Sequence, residues 1–159
     1  MPDTRYQMDD ADRTLISALR QGGRTTNAEV ARATGMARGT VQTRLARLEE
    51  RGVITGWGPE LDPRATEHDV MAFTTLAIAQ GAHDGVLAIL ADMPEVLEVH
   101  VVTGSGDLLC RIAARSNDHL HELIQRVVHA DGVIRSESQL ALATPVRRTV
   151  ADLIAGTWR

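Results

Sequence analysis

Residues Ala37 to Arg51 read ARGTVQTRLARLEER. At about 100° per residue, the repeat of an α-helix, Val41, Leu45 and Leu48 fall in one narrow apolar stripe. Thr40, Thr43, Arg44, Arg47 and Arg51 share a neighbouring arc. One side can lock into a small core while the other presents guanidinium and hydroxyl groups outward. A DNA-reading helix needs that division: apolar anchoring behind, phosphate and base-edge donors in front. Any surface helix has a charged face, so the flanks decide the matter.

Upstream, Asp9 is placed to cap a first helix, with Asp12 three residues on in capping-box position. Leu15, Ile16 and Leu19 give that helix a stripe, and Gly22-Gly23 ends it. Asn27 is expected to cap a short second helix, Ala28 to Ala33, closed by Thr34-Gly35. A short helix, a glycine turn and a longer helix make a helix-turn-helix signature. Gly52 closes the third helix. Val53 to Pro59 then suits a short strand in the position of a wing, with Trp57 read as a core or interface packing residue. PELDPRAT, residues 59–66, reads as a linker.

The second half has another rhythm. Val70 to Ala79 is a mainly apolar strand, and Val86, Leu87 and Leu90 form a helical stripe ended by Pro94. Leu97, Val99 and Val101 alternate with Glu98 and His100 as a half-buried strand. Gly104-Ser105-Gly106-Asp107 is a turn, and Leu108, Cys110 and Ile112 alternate in the next strand. Ser116 or Asn117 caps a helix bearing Leu120, Leu123, Ile124, Val127 and Val128. Residues 134–142 alternate as a last strand. The order is β-α-β-β-α-β, a ferredoxin-like split unit with helices on one face of an antiparallel sheet. Several positions on the other face are apolar, so pairing with a second copy is the natural cover. VRRTVADLIAGTWR, residues 146–159, gives a short helix or a strand packing on a partner subunit, with the helix favoured.

The expected class is therefore α+β, divided as 1–58 helix-turn-helix, 59–66 linker, 67–145 βαββαβ domain and 146–159 tail. Every one of the 17 basic residues is arginine, and the formal charge is −4. Residues 1–65 hold ten arginines against nine acids, whereas 66–159 hold seven against twelve. A module near neutrality can still meet phosphate where its arginines cluster. No apolar run approaches the roughly 20 residues of a membrane span, and the polar N-terminus lacks an apolar signal region, so the expected location is cytoplasmic with no membrane partner. The single cysteine, Cys110, excludes an intramolecular disulfide and a multi-cysteine metal site. His119 and His121, two apart on a helix, do not face each other, so no metal ligand is assigned. No nucleophile or phosphate-loop motif is present, and no catalytic residue or cofactor is assigned.

A helix-turn-helix, a wing-like strand, a linker and a βαββαβ domain, in that order, resemble the Lrp/AsnC (feast-famine) family of transcriptional regulators. Met8-Asp9-Asp10-Ala11-Asp12-Arg13 is similar to the family's opening helix. Gly35-Met36, Thr40-Val41, Arg44-Leu45, Leu48-Glu49 and Gly52-Val53-Ile54-Thr55-Gly56-Trp57 track its helix-turn-helix and following strand. Val101-Val102-Thr103-Gly104 with Asp107 resembles the glycine–aspartate turn of its ligand-sensing (RAM) domain, and Gly132-Val133 with Ser136 and Ser138 its last strand. The match runs over residues 8–144. Two positions depart from the family pattern. Ala37 stands where serine often begins the recognition helix, at a cost of about 1 kcal/mol in capping. Gly106 stands where an aromatic residue often precedes the aspartate.

The resemblance implies a sequence-specific regulator of double-stranded DNA that forms a homodimer on pseudo-palindromic sites. An octamer, a tetramer of dimers, is the larger assembly it allows. Arg24, Thr25, Arg38, Thr40, Thr43, Arg44 and Arg47 are the candidate DNA contacts. Removing Arg44 or Arg47 is expected to weaken binding without unfolding the chain. A small effector such as an amino acid is expected between subunits, at Thr103, Gly104, Ser105, Gly106, Asp107, Ser136 and Ser138. There Asp107 can accept from an α-ammonium group and the glycine N–H groups can meet a carboxylate. In a plain hairpin, Asp107 instead caps its own backbone. Two other readings stand beside this one. Proteins with a similar fold decarboxylate tetrapyrroles with His and Arg, for which His100 and Arg111 are available. A DNA-compacting protein with no effector is the other.

Overall fold

In chain order the elements are α1 (Asp10–Gly22), α2 (Asn27–Thr34), α3 (Arg38–Glu50), β1 (Val70–Ile78), α4 (His83–Ala91), β2 (Val96–Val101), β3 (Leu108–Ala114), α5 (Asn117–Val128), β4 (Val133–Leu140) and α6 (Val150–Ala155). A 3-10 turn at Pro63–Thr66 lies within the expected linker. This computed structural model describes residues 6–22 and 25–156. The chain divides into two units, residues 60–145 and the segments on either side of them.

The first unit is built by helix periodicity. Leu15 and Ile16 from α1, Val30 and Ala31 from α2, and Val41, Leu45 and Leu48 from α3 are all buried in one core. At about 25 cal/mol per Å² of apolar surface, each large side chain among them contributes roughly 2 kcal/mol. Asp9 and Asp12 cap α1 reciprocally: the Asp12 N–H donates to the Asp9 carboxylate at 2.8 Å, and the Asp9 N–H to that of Asp12 at 3.3 Å. The cap of α2 is Thr26, not the expected Asn27. Thr26 has Glu29 three residues on, which completes a capping box, whereas Asn27 has Val30 there. Gly35 closes α2 in the left-handed region (φ 71°), which makes the tight turn into α3.

The short strand expected at Val53–Pro59 is not formed. The Val53 and Ile54 N–H groups both donate to the Leu48 carbonyl, at 2.9 and 3.1 Å. They close the C-terminus of α3 instead of pairing with a strand, while both side chains pack on the helical core. Trp57 is 60% exposed, and its ring N–H donates to Glu49 Oε1 at 2.6 Å, so it is not a core residue within this chain.

The tail is helical. Thr149 and Asp152 form a capping box at the start of α6. Ala151 and Ile154 pack against the helix-turn-helix core, and Asp152 pairs with Arg20 of α1 at 2.7 Å. The tail thus joins the first unit.

In the second unit the sheet order is β2-β3-β1-β4, with antiparallel neighbours throughout. This is the βαββαβ arrangement. Val86 and Leu90 of α4 and Leu120, Leu123 and Val127 of α5 cover Leu76, Leu108, Cys110 and Ile112 on one face. Burial pushes the Cys110 thiol up to about 11, as befits an inert core residue. Ser116 caps α5, accepting from the His119 N–H. The alternation expected in β2 is interrupted. The pairing shifts between Val96 and Glu98, so Leu97 falls in a bulge and is exposed, while Val96 and Val99 pack on the core.

Candidate functional site

Two places in the structure gather the residues singled out by the sequence, one in each unit. The first is α3. With Val41, Leu45 and Leu48 buried, Arg38, Thr40, Gln42, Thr43, Ala46 and Arg47 are exposed. The Arg38, Thr40 and Thr43 side chains make no hydrogen bond or ion pair with other described residues, so their donors are available to an outside partner. Thr25, half-buried, directly precedes the capping box of α2. Arg24 lies outside the described residues.

Arg44 and Arg47 have a second occupation that local periodicity did not reveal. Arg44 Nη1 bonds both carboxylate oxygens of Asp9, at 2.9 and 2.8 Å, and Asp12 Oδ1 at 2.7 Å. Arg47 Nη2 lies 3.2 Å from the same Asp12 oxygen, and its guanidinium sits over the Tyr6 ring at 5.3 Å. The Tyr6 hydroxyl donates to Asp12 Oδ2 at 2.7 Å. Asp12 is fully buried, whereas the Arg44 and Arg47 side chains are 24% and 43% exposed. Burial by itself would raise the Asp12 carboxyl; the hydrogen bonds from Tyr6, Arg44 and the Asp9 N–H, with the charge of Arg47, outweigh it and hold the group below its ordinary value. Arg44, then the Asp12 N–H, do the same for Asp9. The network pins α3 to the start of α1. Arg44 is therefore structural whatever else it contacts.

The second place is the β2–β3 turn. Gly104 has φ 124°, a conformation that side chains rarely adopt. Gly106 packs so closely on β1 that a Cβ there would lie 2.3 Å from Thr75 Cγ2. An aromatic residue at this position would collide with β1 as it stands. The Asp107 N–H donates to the Leu76 carbonyl at 2.8 Å, and Asp107 Oδ2 accepts from the Ile78 N–H at 2.7 Å. The carboxylate supplies a ladder acceptor where β3 has turned away, so one oxygen is committed to the fold. The backbone that Asp107 caps belongs to β1 and not to its own turn, and its other oxygen, Oδ1, has no hydrogen-bond partner among the described residues. Across β1, Arg135 Nη2 donates to the Ser105 carbonyl at 2.8 Å and braces the turn.

Ser136 and Ser138 do not join that turn within the chain. They pair with Leu76 and Thr74, both buried, and so lie on the helix-covered face, where Ser138 Oγ and Thr74 Oγ1 are 2.9 Å apart. The β4 residue that reaches the turn is Arg135, one position away on the opposite face. Sequence alternation puts Arg135 and Ser136 on opposite faces, and the register of β4 against β1 decides which of them faces the turn.

His100 and Arg111 meet through Glu98, which lies 3.3 Å from the first and 2.8 Å from the second, on neighbouring strands. His119 points to Glu95 at 3.6 Å and accepts from the Arg115 N–H, while His121 is exposed. No helix is long and apolar enough to cross a membrane among the described residues.

Comparisons with known proteins match both halves of the chain. A model of the Lrp/AsnC ligand binding domain matches residues 71–151, and a winged helix-turn-helix DNA-binding model matches residues 8–55. The regulatory protein AsnC of Escherichia coli K12 is 32% identical over 148 residues, covering 91% of this chain and 97% of its own. The solved structure of E. coli AsnC superposes with a TM-score of 0.81 at 30% identity, over 92% of this chain and 99% of that one. A feast or famine regulatory protein from M. tuberculosis, complexed with L-methionine, gives a TM-score of 0.79 at 31% identity, over 89% of this chain and 96% of that one.

Proposed function

The chain belongs to the Lrp/AsnC family of transcriptional regulators, and from that premise we propose that it reads operator DNA with α3 under the control of an amino acid held at the β2–β3 turn. It is a transcriptional regulator with a helix-turn-helix DNA-binding domain and a ligand-binding domain. The observation that carries the DNA assignment is the exposed side of α3, where Arg38, Thr40 and Thr43 present donors with no partner among the described residues. Arg38 and Arg47 serve phosphates, Thr40 and Thr43 the groove, and Arg24 and Thr25 the phosphates beside α2. Arg44 contributes chiefly by holding α3 in place.

The effector assignment rests on the turn at Thr103–Asp107. Gly104, Ser105 and Gly106 expose backbone donors suited to a carboxylate, and Asp107 Oδ1 has no hydrogen-bond partner among the described residues. The M. tuberculosis relative bound to L-methionine supports an amino acid as the class. Arg135 joins the β4 contributors, since it reaches the turn in this chain, and Ser136 and Ser138 are left to act across the subunit boundary. A homodimer reading pseudo-palindromic half-sites about one helical turn apart, or a multiple of it, completes the reading. An octamer built from four such dimers is the larger assembly.

Selection of genomic fragments by the purified protein, with and without a panel of amino acids, tests both assignments. Enriched fragments carrying two-fold related half-sites, with an enrichment that one amino acid alters, are expected. Salt-sensitive binding indifferent to sequence would overturn the operator assignment in favour of a DNA-compacting role. An enrichment that no amino acid changes at millimolar concentration would overturn the effector class.

A further inference from the structure

We propose that Gln42 is the residue of α3 that reads a base, through an adenine edge in the major groove. The inference rests on the DNA-binding assignment of α3 and adds its specificity. On a helix, residues three and four apart share a face. Gly39, Gln42, Thr43 and Ala46 therefore form one patch, and all four are exposed, with Arg38 bordering it on the Gln42 side and Thr40 and Arg47 on the Thr43 side. Between Arg38 and Leu48 this patch carries no charge, unlike the arginine arc beside it.

Its chemistry is specific. The Gln42 and Thr43 side chains make no hydrogen bond with any described residue, so both are available. Gly39 weakens the first turn of α3 by about 1 kcal/mol relative to alanine. Among the described residues nothing needs it, since a Cβ there would meet no atom within 4 Å and its φ is not in the left-handed region. Gly39 before the Gln42–Thr43 pair and Ala46 after it let the helix backbone seat deeply against an outside surface. The cations stand off this patch: Arg38 to one side, Arg47 and Arg51 to the other, and Arg44 turned back onto Asp9 and Asp12. With the arginines set toward the walls of a groove, its floor is left to Gln42 and Thr43. A glutamine amide offers one donor and one acceptor, the complement of adenine N7 and N6–H, and a threonine methyl suits a thymine methyl.

Selection from a random DNA library decides the point, run with the unaltered protein and with Gln42→Ala, Gln42→Glu and Arg38→Ala. The unaltered protein is expected to select one adenine per half-site that Gln42→Ala no longer distinguishes, a loss of preference on the order of tenfold at that position. Gln42→Glu is expected to move the preference at that position toward cytosine, whose amino group a carboxylate accepts. Arg38→Ala should weaken all sites alike and leave the motif intact. If Gln42→Ala selects the same motif as the unaltered protein, or merely binds every sequence more weakly, the proposal is overturned while the DNA-binding role of α3 stands. If the unaltered protein selects no sequence, that role falls as well. Gln42 is exposed and alanine favours helix, so a folding defect does not confuse the outcomes.

Discussion

Arg44 and Arg38 stand on the same helix and are expected to answer substitution in opposite ways. Arg44 neutralises a buried carboxylate at 2.7 Å, so Arg44→Ala should lower folding stability by about 2 kcal/mol, read by thermal denaturation. Its loss of DNA affinity then follows from a loosened α3. Arg38 has no ion pair among the described residues. Arg38→Ala should leave the melting temperature unchanged and reduce the salt dependence of DNA binding by about one unit of log–log slope, read by titration at several salt concentrations. At the β2–β3 turn, Gly106→Ala places a methyl group 2.3 Å from Thr75 Cγ2 and should destabilise the sheet unit by about 1–3 kcal/mol. Thr75→Ala removes that atom and should recover much of the loss, which a double-mutant cycle measures. The residue types were legible in the sequence, as was the turn itself. The partners were not: the pairing of Arg44 with Asp9 spans 35 positions, and that of Arg135 with Ser105 spans 30, so neither leaves a local pattern.

The elements followed from local rules where those rules are self-sufficient. The stripes of α1, α3 and α5 predicted helices because a helix satisfies its own backbone. The start of α3 is weak for a local reason as well. Ala37 supplies no side-chain hydrogen bond to the first turn. Ala37→Ser should therefore raise stability by about 1 kcal/mol, and Thr26→Ala should lower it by a similar amount through loss of the α2 capping box, both read as shifts in melting temperature. Strands answered less faithfully. Val53-Ile54 had a β-branched pattern, but a strand needs an edge to pair with, and the two N–H groups found the Leu48 carbonyl instead. In β2 the alternating Leu97, Val99 and Val101 fitted a regular strand, and only the pairing with β3 placed a bulge at Leu97. Whether Ser136 or Arg135 faced the turn also awaited the register of β4 against β1.

At the scale of the molecule, the first unit depends on ion pairs and on the end of the chain. Asp9, Asp12, Glu29 and Asp152 all titrate below their ordinary values, Asp152 because Arg20 and the Thr149 N–H hold its carboxylate. A carboxyl held lower in the folded than in the unfolded chain contributes stability above its unfolded pKa, and loses it as pH falls through the folded one. All four lie in the helix-turn-helix unit, so that unit should weaken as pH drops below about 4, read by circular dichroism in an acid titration. Asp12→Asn should flatten that dependence. A chain ending at Pro145 should melt its helix-turn-helix unit at lower temperature, because Ala151 and Ile154 no longer cover the core and Arg20 loses Asp152. The amino-acid sequence alone determined the order of the helices and of the four strands of the sheet, the apolar faces of the helices, the βαββαβ topology and the family. These are written in periodicity and short motifs, which act between neighbours in the chain. Only the tertiary structure decided which arginines of α3 are spoken for, which β4 residue meets the glycine–aspartate turn and where the tail comes to rest. Each of those outcomes depends on contacts between residues far apart in sequence, whose geometry is set when the elements pack.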